Sequence, residues 1–197
     1  VSTQVSIKVK DTKLTSTGPL LITHWGMSGP AILKLSAWGA RILFEKNYQF
    51  TIFVNWLNDL DADDTEKILK DLKQEHAKKA VSKKSPFDFP NRLWESLVLA
   101  SNISEETKWA DLSKTQLQNL VSQLMNSSFQ VNGKSTFKEE FVTAGGIDLK
   151  EINFKTMESK LHENLFFAGE IVNIDAVTGG FNFQNAWTSG FIVASNF

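Results

Sequence analysis

The spacing of apolar residues changes twice along this chain, and no single type of secondary structure satisfies both spacings. Val5, Ile7 and Val9 alternate with Ser6, Lys8 and Lys10, the period of two that turns one face of a strand to a core and the other to water. From residue 57 to residue 127 apolar residues recur instead every three or four positions, as on amphipathic helices. Alternation returns after residue 128, and the chain closes on a helix. This order predicts an α+β protein with a helical segment between two β segments.

Within residues 1–56, Pro19 to Ile22 and Gln49 to Trp56 read as further strands. The second carries Phe50, Ile52 and Val54 on one side and Thr51, Phe53 and Asn55 on the other. Between them SGPAILKLSAWGARIL reads as a largely buried helix, with Ser28 able to cap it and Pro30 tolerated in its first turn. In residues 57–127, Asp63 and Asp64 offer caps, with Glu66 three residues after Asp63. The helix behind them places Ile68, Leu69, Leu72 and His76 on one face. A break from Ser85-Pro86 to Pro90 precedes a second apolar face of Leu93, Trp94, Leu97 and Val98. Ser113 and Gln116 form a capping box ahead of Leu117, Leu120, Val121, Leu124 and Met125. At least three helices on short connections make a small bundle.

In residues 128–197, Phe129 to Asn132 and Phe137 to Ala144 read as strands joined at an Asn132-Gly133 turn. Leu165 to Ala168 is wholly apolar, as expected of a strand covered on both faces in a parallel sheet. The last helix starts at about Phe181.

Composition excludes several functions. The chain has no cysteine, which rules out disulfides, thiolate metal sites and cysteine nucleophiles, and suits a reducing cytoplasm. The net charge of −1 gives no sign of the basic stripe of a nucleic-acid binder, so no nucleic-acid partner is expected. No apolar run approaches the roughly 20 residues of a membrane span, so no membrane partner is expected either. His24, His76 and His162 are too scattered to suggest a metal site. The chain opens in strand-like alternation without an initiator methionine, as a piece of a longer protein would.

The segment LFFAGEIVNIDAVTGGFNFQNAWTSGFIVA, from Leu165, carries the most chemistry. A buried strand runs into Gly169-Glu170, and a carboxylate at the carboxyl end of a parallel strand faces the crevice where α/β sheets bind ligands. It can accept hydrogen bonds from ribose or ribityl hydroxyls. Gly179 and Gly180 allow close backbone approach at a helix start. The free N–H groups and partial positive charge there favour a pyrophosphate or an electron-rich carbonyl. Taken alone, the same residues read equally well as a strand, a glycine turn and a packed helix with Glu170 on the surface.

That segment resembles the C-terminal signature of the YhiN/BaiN-type, aminoacetone oxidase-like flavoproteins, which belong to the broader glutathione-reductase-type FAD superfamily. VTAGGIDLKEINFKTMESK, from Val142 to Lys160, is similar to the family's preceding block. LLITHWGMSGPAILKLS, from Leu20 to Ser36, is similar to its Thr-His-Trp-Gly-x-Ser-Gly-Pro block. The three blocks occur in the family's order, so the resemblance covers essentially the whole chain. It implies a small β-barrel from residues 1–56 and 128–161 with an inserted helical bundle at 57–127. Residues 162–197 would be the last strand and helix of a glutathione-reductase-type FAD-binding α/β domain. The family's glycine-rich dinucleotide fingerprint is absent, since no GxGxxG occurs here. The expected partner is therefore a missing N-terminal FAD-binding half of the same chain, and this segment alone is expected to hold no flavin and to be inactive.

The resemblance also assigns roles. Glu170, following Gly169, matches the acidic residue after the family's apolar strand, which resembles the ribityl-binding acid of related flavoenzymes, and Asp175 in the loop beyond reads either as a contact to the flavin chain or as a turn residue only. Gly179, Gly180, Phe181 and Asn182 match the helix start beside the flavin ring, where the helix dipole would stabilise charge on the reduced ring. Thr143, Ala144, Gly145 and Gly146 match the earlier glycine block, also near the ring. Phe181 and Asn173 stand where the family often has tyrosine or aspartate, which puts in doubt a charged contact at 173. The implied activity is hydride or electron transfer by FAD on a small molecule, with NAD(P)H as a possible electron source. Family members have been linked to aminoacetone oxidation and steroid-ring reduction. The alternative is a non-catalytic barrel-plus-bundle interaction module.

Other features have two readings each. His24 reads as an acid or base near substrate, or as a buried histidine holding its turn, and the second is favoured. His76 and His162 read as structural or exposed. Most of the six tryptophans and fifteen phenylalanines read as core packing. The lysines at 78–79 and 83–84 read as a solvated helix end.

Overall fold

The computed structural model describes residues 2–58, 60–134 and 142–196. It is an α+β chain of two compact units: residues 1–32 with 49–132, and residues 33–48 with 133–197.

The first unit is built on a five-stranded antiparallel sheet. β1 (Ser2–Val9), β2 (Thr15–Ile22), β3 (Met27–Ser28), β4 (Gln49–Asn55) and β5 (Ser127–Asn132) lie in the order β3-β2-β1-β4-β5. The period-two reading of β1 holds, with Val5, Ile7 and Val9 fully buried. The register sets Ile7 opposite Val54 and Val9 opposite Ile52, so each pair buries apolar area across the sheet. Each such side chain stabilises the fold by roughly 1.5–3 kcal/mol. β2 begins earlier than the sequence suggests, at Thr15, because Thr15 to Gly18 pair with β1 although their side chains are small and polar.

The helix α1 (Pro30–Glu45) starts at Pro30. Ser28 does not cap it; Ser28 lies in β3, paired with Leu21. Gly29 makes the connection at φ +96°, and a Cβ there would stand 3.0 Å from the Pro19 carbonyl oxygen. Only glycine fits both the dihedral and the space.

Three helices complete this unit: α2 (Ala62–Glu75), α3 (Asn91–Ala100) and α4 (Lys114–Asn126). Asp61, not Asp63 or Asp64, caps α2, its carboxylate accepting from the Asp64 N–H at 2.8 Å. The other two acids lie in the first turn, where they still favour the helix dipole. The Ser113–Gln116 capping box is formed in full on α4. Leu69, Trp94, Leu97, Val98, Leu117, Leu120 and Leu124 are buried, and the Trp94 indole N–H donates to the Val81 carbonyl at 2.8 Å.

The second unit combines most of α1 with residues 142–196. Its core is Ile152, Met157 and Val172, packed with Ile147, Leu149, Phe167, Ile192 and Val193 among others. β6 (Ile152–Asn153) and β7 (Glu158–Ser159) form a short antiparallel ribbon, and α5 (Gly180–Ala194) is the last helix. The Leu165–Ala168 segment departs from expectation. Among the described residues it has no parallel neighbour. It pairs antiparallel through Phe166 with Glu158, and Leu165 is 42% exposed. Of the expected strand from Phe137, residues 137–141 lie outside the described residues, and residues 142–146 are irregular.

Aromatic packing also differs from the expectation. Trp56, Trp94 and Trp109 are buried, whereas Trp25, Trp38, Trp187, Phe44, Phe181, Phe183 and Phe191 are exposed. All of these exposed rings except Trp25 belong to the second unit. On α5, Phe183, Trp187 and Phe191 follow one another at four-residue spacing, which places them on one stripe of the helix.

Candidate functional site

The residues singled out by the C-terminal signature lie in the second unit. Gly146 sits at φ +138°, and a Cβ on it would stand 2.5 Å from the Ile171 carbonyl oxygen. The glycine therefore lets the 145–147 strap lie directly on residues 171–173. Two hydrogen bonds hold it there: Ile147 N–H to Ile171 O at 2.8 Å, and Asn173 N–H to Ile147 O at 3.1 Å. Gly169, Glu170 and Ile171 form a 3₁₀ turn whose Gly169 N–H donates to Ser189 Oγ of α5 at 2.9 Å. Glu170 is exposed on this turn. Thr143 and Ala144 are exposed upstream of the strap.

The loop after the turn is anchored at two points. The Arg41 guanidinium of α1 donates to Asn173 Oδ1 at 2.7 Å and stands 3.9 Å from the Asp175 carboxylate. Asn173 thus has a cationic partner although it carries no charge. The Asn182 amide closes the loop: it accepts from Ala176 N–H at 2.9 Å and donates to Ala176 O at 3.1 Å. The side chain of Asn182 is engaged within its own loop, so what it can offer a ligand is its backbone.

The start of α5 is open. Gly179 precedes the helix at φ +148°, and no side chain caps the helix. A Cβ at Gly179 or Gly180 would meet nothing within 4 Å. The first amides of a helix point outward and lack intrahelical acceptors, so this end can take an electron-rich oxygen. Beside it lies a pocket of about 240 Å³ lined by Ala37, Trp38, Asp175, Ala176, Val177 and Phe181. An apolar wall with two aromatic rings and one carboxylate suits a planar, partly polar ligand.

Sequence reasoning missed Arg41, Trp38 and Ser189. Arg41 had a signal, as the one charged residue in the otherwise apolar stretch from Ala37 to Phe44, because a lone cation there calls for a partner. Its partners lie 132 residues away for Asn173, which no local pattern reveals.

His24 belongs to the first unit and is exposed. The buried histidine holding its turn is not what the structure shows. The turn is closed by Thr23, whose N–H and Oγ1 both reach the Gly26 carbonyl oxygen, at 2.8 and 3.0 Å. His76 ends α2 with its N–H on Leu72 O, and His162 is exposed. Among the described residues no cluster of His, Asp and Glu is arranged to hold a metal ion, and no helix is long and apolar enough to cross a membrane.

Comparison with known proteins agrees with this architecture. Two ribosomal RNA dihydrouridine synthases are similar: that of Escherichia coli (strain K12) is 31% identical over 90% of this chain and 42% of its own length. That of Haemophilus influenzae is 33% identical over 89% of this chain and 41% of its own. A 3-dehydro-bile acid delta(4,6)-reductase of Clostridium scindens is 24% identical over 89% of this chain and 43% of its own length. The chain thus spans about two fifths of the length of these curated relatives. The family model of the HI0933-like protein barrel and H2TH domain matches residues 2–142, and this chain therefore belongs to the HI0933-like family.

Proposed function

We propose that this chain is part of a flavin-dependent reductase that saturates a carbon–carbon double bond conjugated to a carbonyl group. The observation that carries the reading is the uncapped start of α5 at Gly179-Gly180, where an added Cβ would meet nothing within 4 Å, next to a pocket walled by Trp38 and Phe181. These residues fit the ring of FAD. The helix amides would face its electron-rich edge, and the aromatic side chains its apolar face. Glu170, exposed on the neighbouring turn, is available to ribityl hydroxyls. Gly145 and Gly146 allow a strap to lie close, and Asp175, held beside Arg41, limits how the ring can sit.

FAD, when bound, supplies hydride transfer. This chain's residues would orient the ring, keep water from one face and hold the loop rigid. The names of the relatives favour reduction over oxidation. A dihydrouridine is a uridine whose pyrimidine double bond has been saturated, and a delta(4,6)-reductase removes double bonds from a steroid. The relatives named for ribosomal RNA share 31% and 33% identity against 24% for the steroid enzyme, so a uracil ring in RNA is the favoured substrate. The near-zero net charge that argued against nucleic acid is a property of the whole chain, whereas a stacked base needs a local aromatic surface.

The remaining polypeptide of the full-length protein would supply the dinucleotide grip and cover α5. A helix without charged residues that exposes a stripe of large aromatic rings belongs against a larger core, and Trp187 of α5 is 71% exposed here.

The full-length protein should purify with stoichiometric FAD. With NAD(P)H and ribosomal RNA it should yield a nucleoside heavier than uridine by two hydrogen atoms, read by mass spectrometry of the digested RNA. Bound flavin without that product would move the substrate to another unsaturated ring. Absence of flavin would sink the reading and leave the non-catalytic barrel-plus-bundle module.

A further inference from the structure

Asp175 carries a carboxylate that the fold pins but does not satisfy. Ile147 exchanges hydrogen bonds with Ile171 and Asn173, Arg41 donates to Asn173 Oδ1 at 2.7 Å, and the Asn182 amide bonds twice to Ala176. Asp175 lies between the anchors at 173 and 176, so its backbone is placed within narrow limits. Its side chain is 16% exposed and lines the pocket of about 240 Å³ beside Trp38 and Phe181. Among the described residues its carboxylate accepts no hydrogen bond. The Arg41 guanidinium stands 3.9 Å away, beyond hydrogen-bond reach. A largely buried acceptor normally has a donor, and one on a pocket wall can take it from a ligand.

The surroundings define that donor. The guanidinium partly balances the carboxylate charge, so a cationic ligand gains little and meets Arg41 as a like charge. An anionic ligand meets Asp175 in the same way. A neutral N–H or O–H is left. Walls made by Ala37, Trp38, Val177 and Phe181 favour one carried on a flat ring. An oxidised flavin ring has a single N–H, in the imide of its pyrimidine ring between two carbonyl groups. We propose that the Asp175 carboxylate accepts this imide N–H, with Arg41 as the positioning residue that holds Asp175 in place. The flanking carbonyl groups call for donors, which the uncapped amides at the start of α5 offer beside the pocket. This contact rests on the reading that the pocket holds a flavin ring, and deepens it.

The test uses the full-length protein, stripped of flavin and titrated with FAD or with FAD methylated at the imide nitrogen, with binding read from flavin fluorescence. Wild type should bind FAD about tenfold or more tighter than the methylated form, as loss of a hydrogen bond to a charged group predicts. Asp175→Ala should bind the two within about twofold of each other. Asp175→Asn, which keeps an acceptor without the charge, should fall between, and it carries the same comparison if the alanine variant does not fold. Arg41→Ala should shrink the preference and Arg41→Lys should recover part of it. A role limited to folding would lower the melting temperature and leave the preference unchanged. A wild type that binds both flavins alike, or a preference that survives intact in Asp175→Ala, would overturn the contact and leave the flavin reading standing. A uracil ring carries the same imide edge, so uridine and N3-methyluridine RNA oligonucleotides are compared on the FAD-loaded protein. A preference for uridine that Asp175→Ala abolishes, with both flavins bound alike, would overturn the flavin contact and assign the carboxylate to substrate. If wild type binds no FAD, the flavin reading and the contact fall together.

Discussion

Arg41 and Asn173 are joined by a 2.7 Å hydrogen bond that ties α1 to the loop leading into α5. The contact is between a charged donor and a neutral acceptor, with the Asp175 carboxylate 3.9 Å from the same guanidinium. The Arg41 side chain is 61% exposed, so water screens much of the attraction to Asp175. Arg41→Ala is therefore expected to change global stability by no more than about 1 kcal/mol. It should loosen the loop far more, seen as faster amide exchange at residues 173–178. Asn173→Asp should tighten the link through a charge-assisted bond and slow that exchange. Equal exchange in all three proteins would show that Arg41 does not hold the loop.

Gly180 separates structure from ligand. Its helical position has open space for a Cβ, so Gly180→Ala should stabilise the fold by roughly 0.5–1 kcal/mol through helix propensity. If the glycine serves close approach of a flavin, the same variant should retain less FAD after dialysis of the full-length protein. Gly146→Ala should behave in the opposite way. The collision with Ile171 O and the positive φ should cost about 1–3 kcal/mol or more, measured by urea denaturation.

The cap of α2 can be assigned by substitution. Asp61→Ala should cost about 1 kcal/mol, as an N-cap loss does, whereas Asp63→Ala should cost no more than roughly 0.5 kcal/mol as a dipole contribution. Thermal melting of the two variants distinguishes them, and the reverse order would return the cap to Asp63.

Trp94 is the largest fully buried side chain of the first unit. Trp94→Phe keeps an aromatic ring but leaves the Val81 carbonyl without its donor, with an expected loss of about 1–3 kcal/mol. Trp94→Ala adds a cavity and should cost about 3–5 kcal/mol. Guanidinium denaturation of both variants measures the difference, and a Phe variant as stable as wild type would mean that water replaces the indole N–H.

What the sequence made legible follows from the range of each interaction. The β1 alternation and the Ser113–Gln116 box are local, and both appear as read. Asp61 was missed because three acids in four residues can each cap a helix, and only the backbone angle at 61 selects among them. Leu165 to Ala168 was read as covered on both faces because its residues are all apolar. Composition reports what a segment would bury, and the described residues cover only part of it. The site was half legible. Gly146, Glu170, Asp175 and Gly179-Gly180 carry a family pattern; the structure seats Gly146 against residues 171–173 and sets Asp175 beside Phe181 in one pocket. Arg41 reaches them from another part of the chain, so its role emerged only from geometry. His24 was misjudged because a histidine between Thr23 and Trp25 gives no sign of which side chain closes the turn.

The paired hydrogen bonds between Asn182 and Ala176 have a thermodynamic consequence. They make a closed ring of the six-residue step from the loop to α5, so its backbone loses its freedom when the chain folds. Ordering a residue afresh costs about 1–2 kcal/mol of entropy. A ligand arriving at Gly179 would find those residues already still, and its affinity would reflect contact and charge more than the work of arresting a loop.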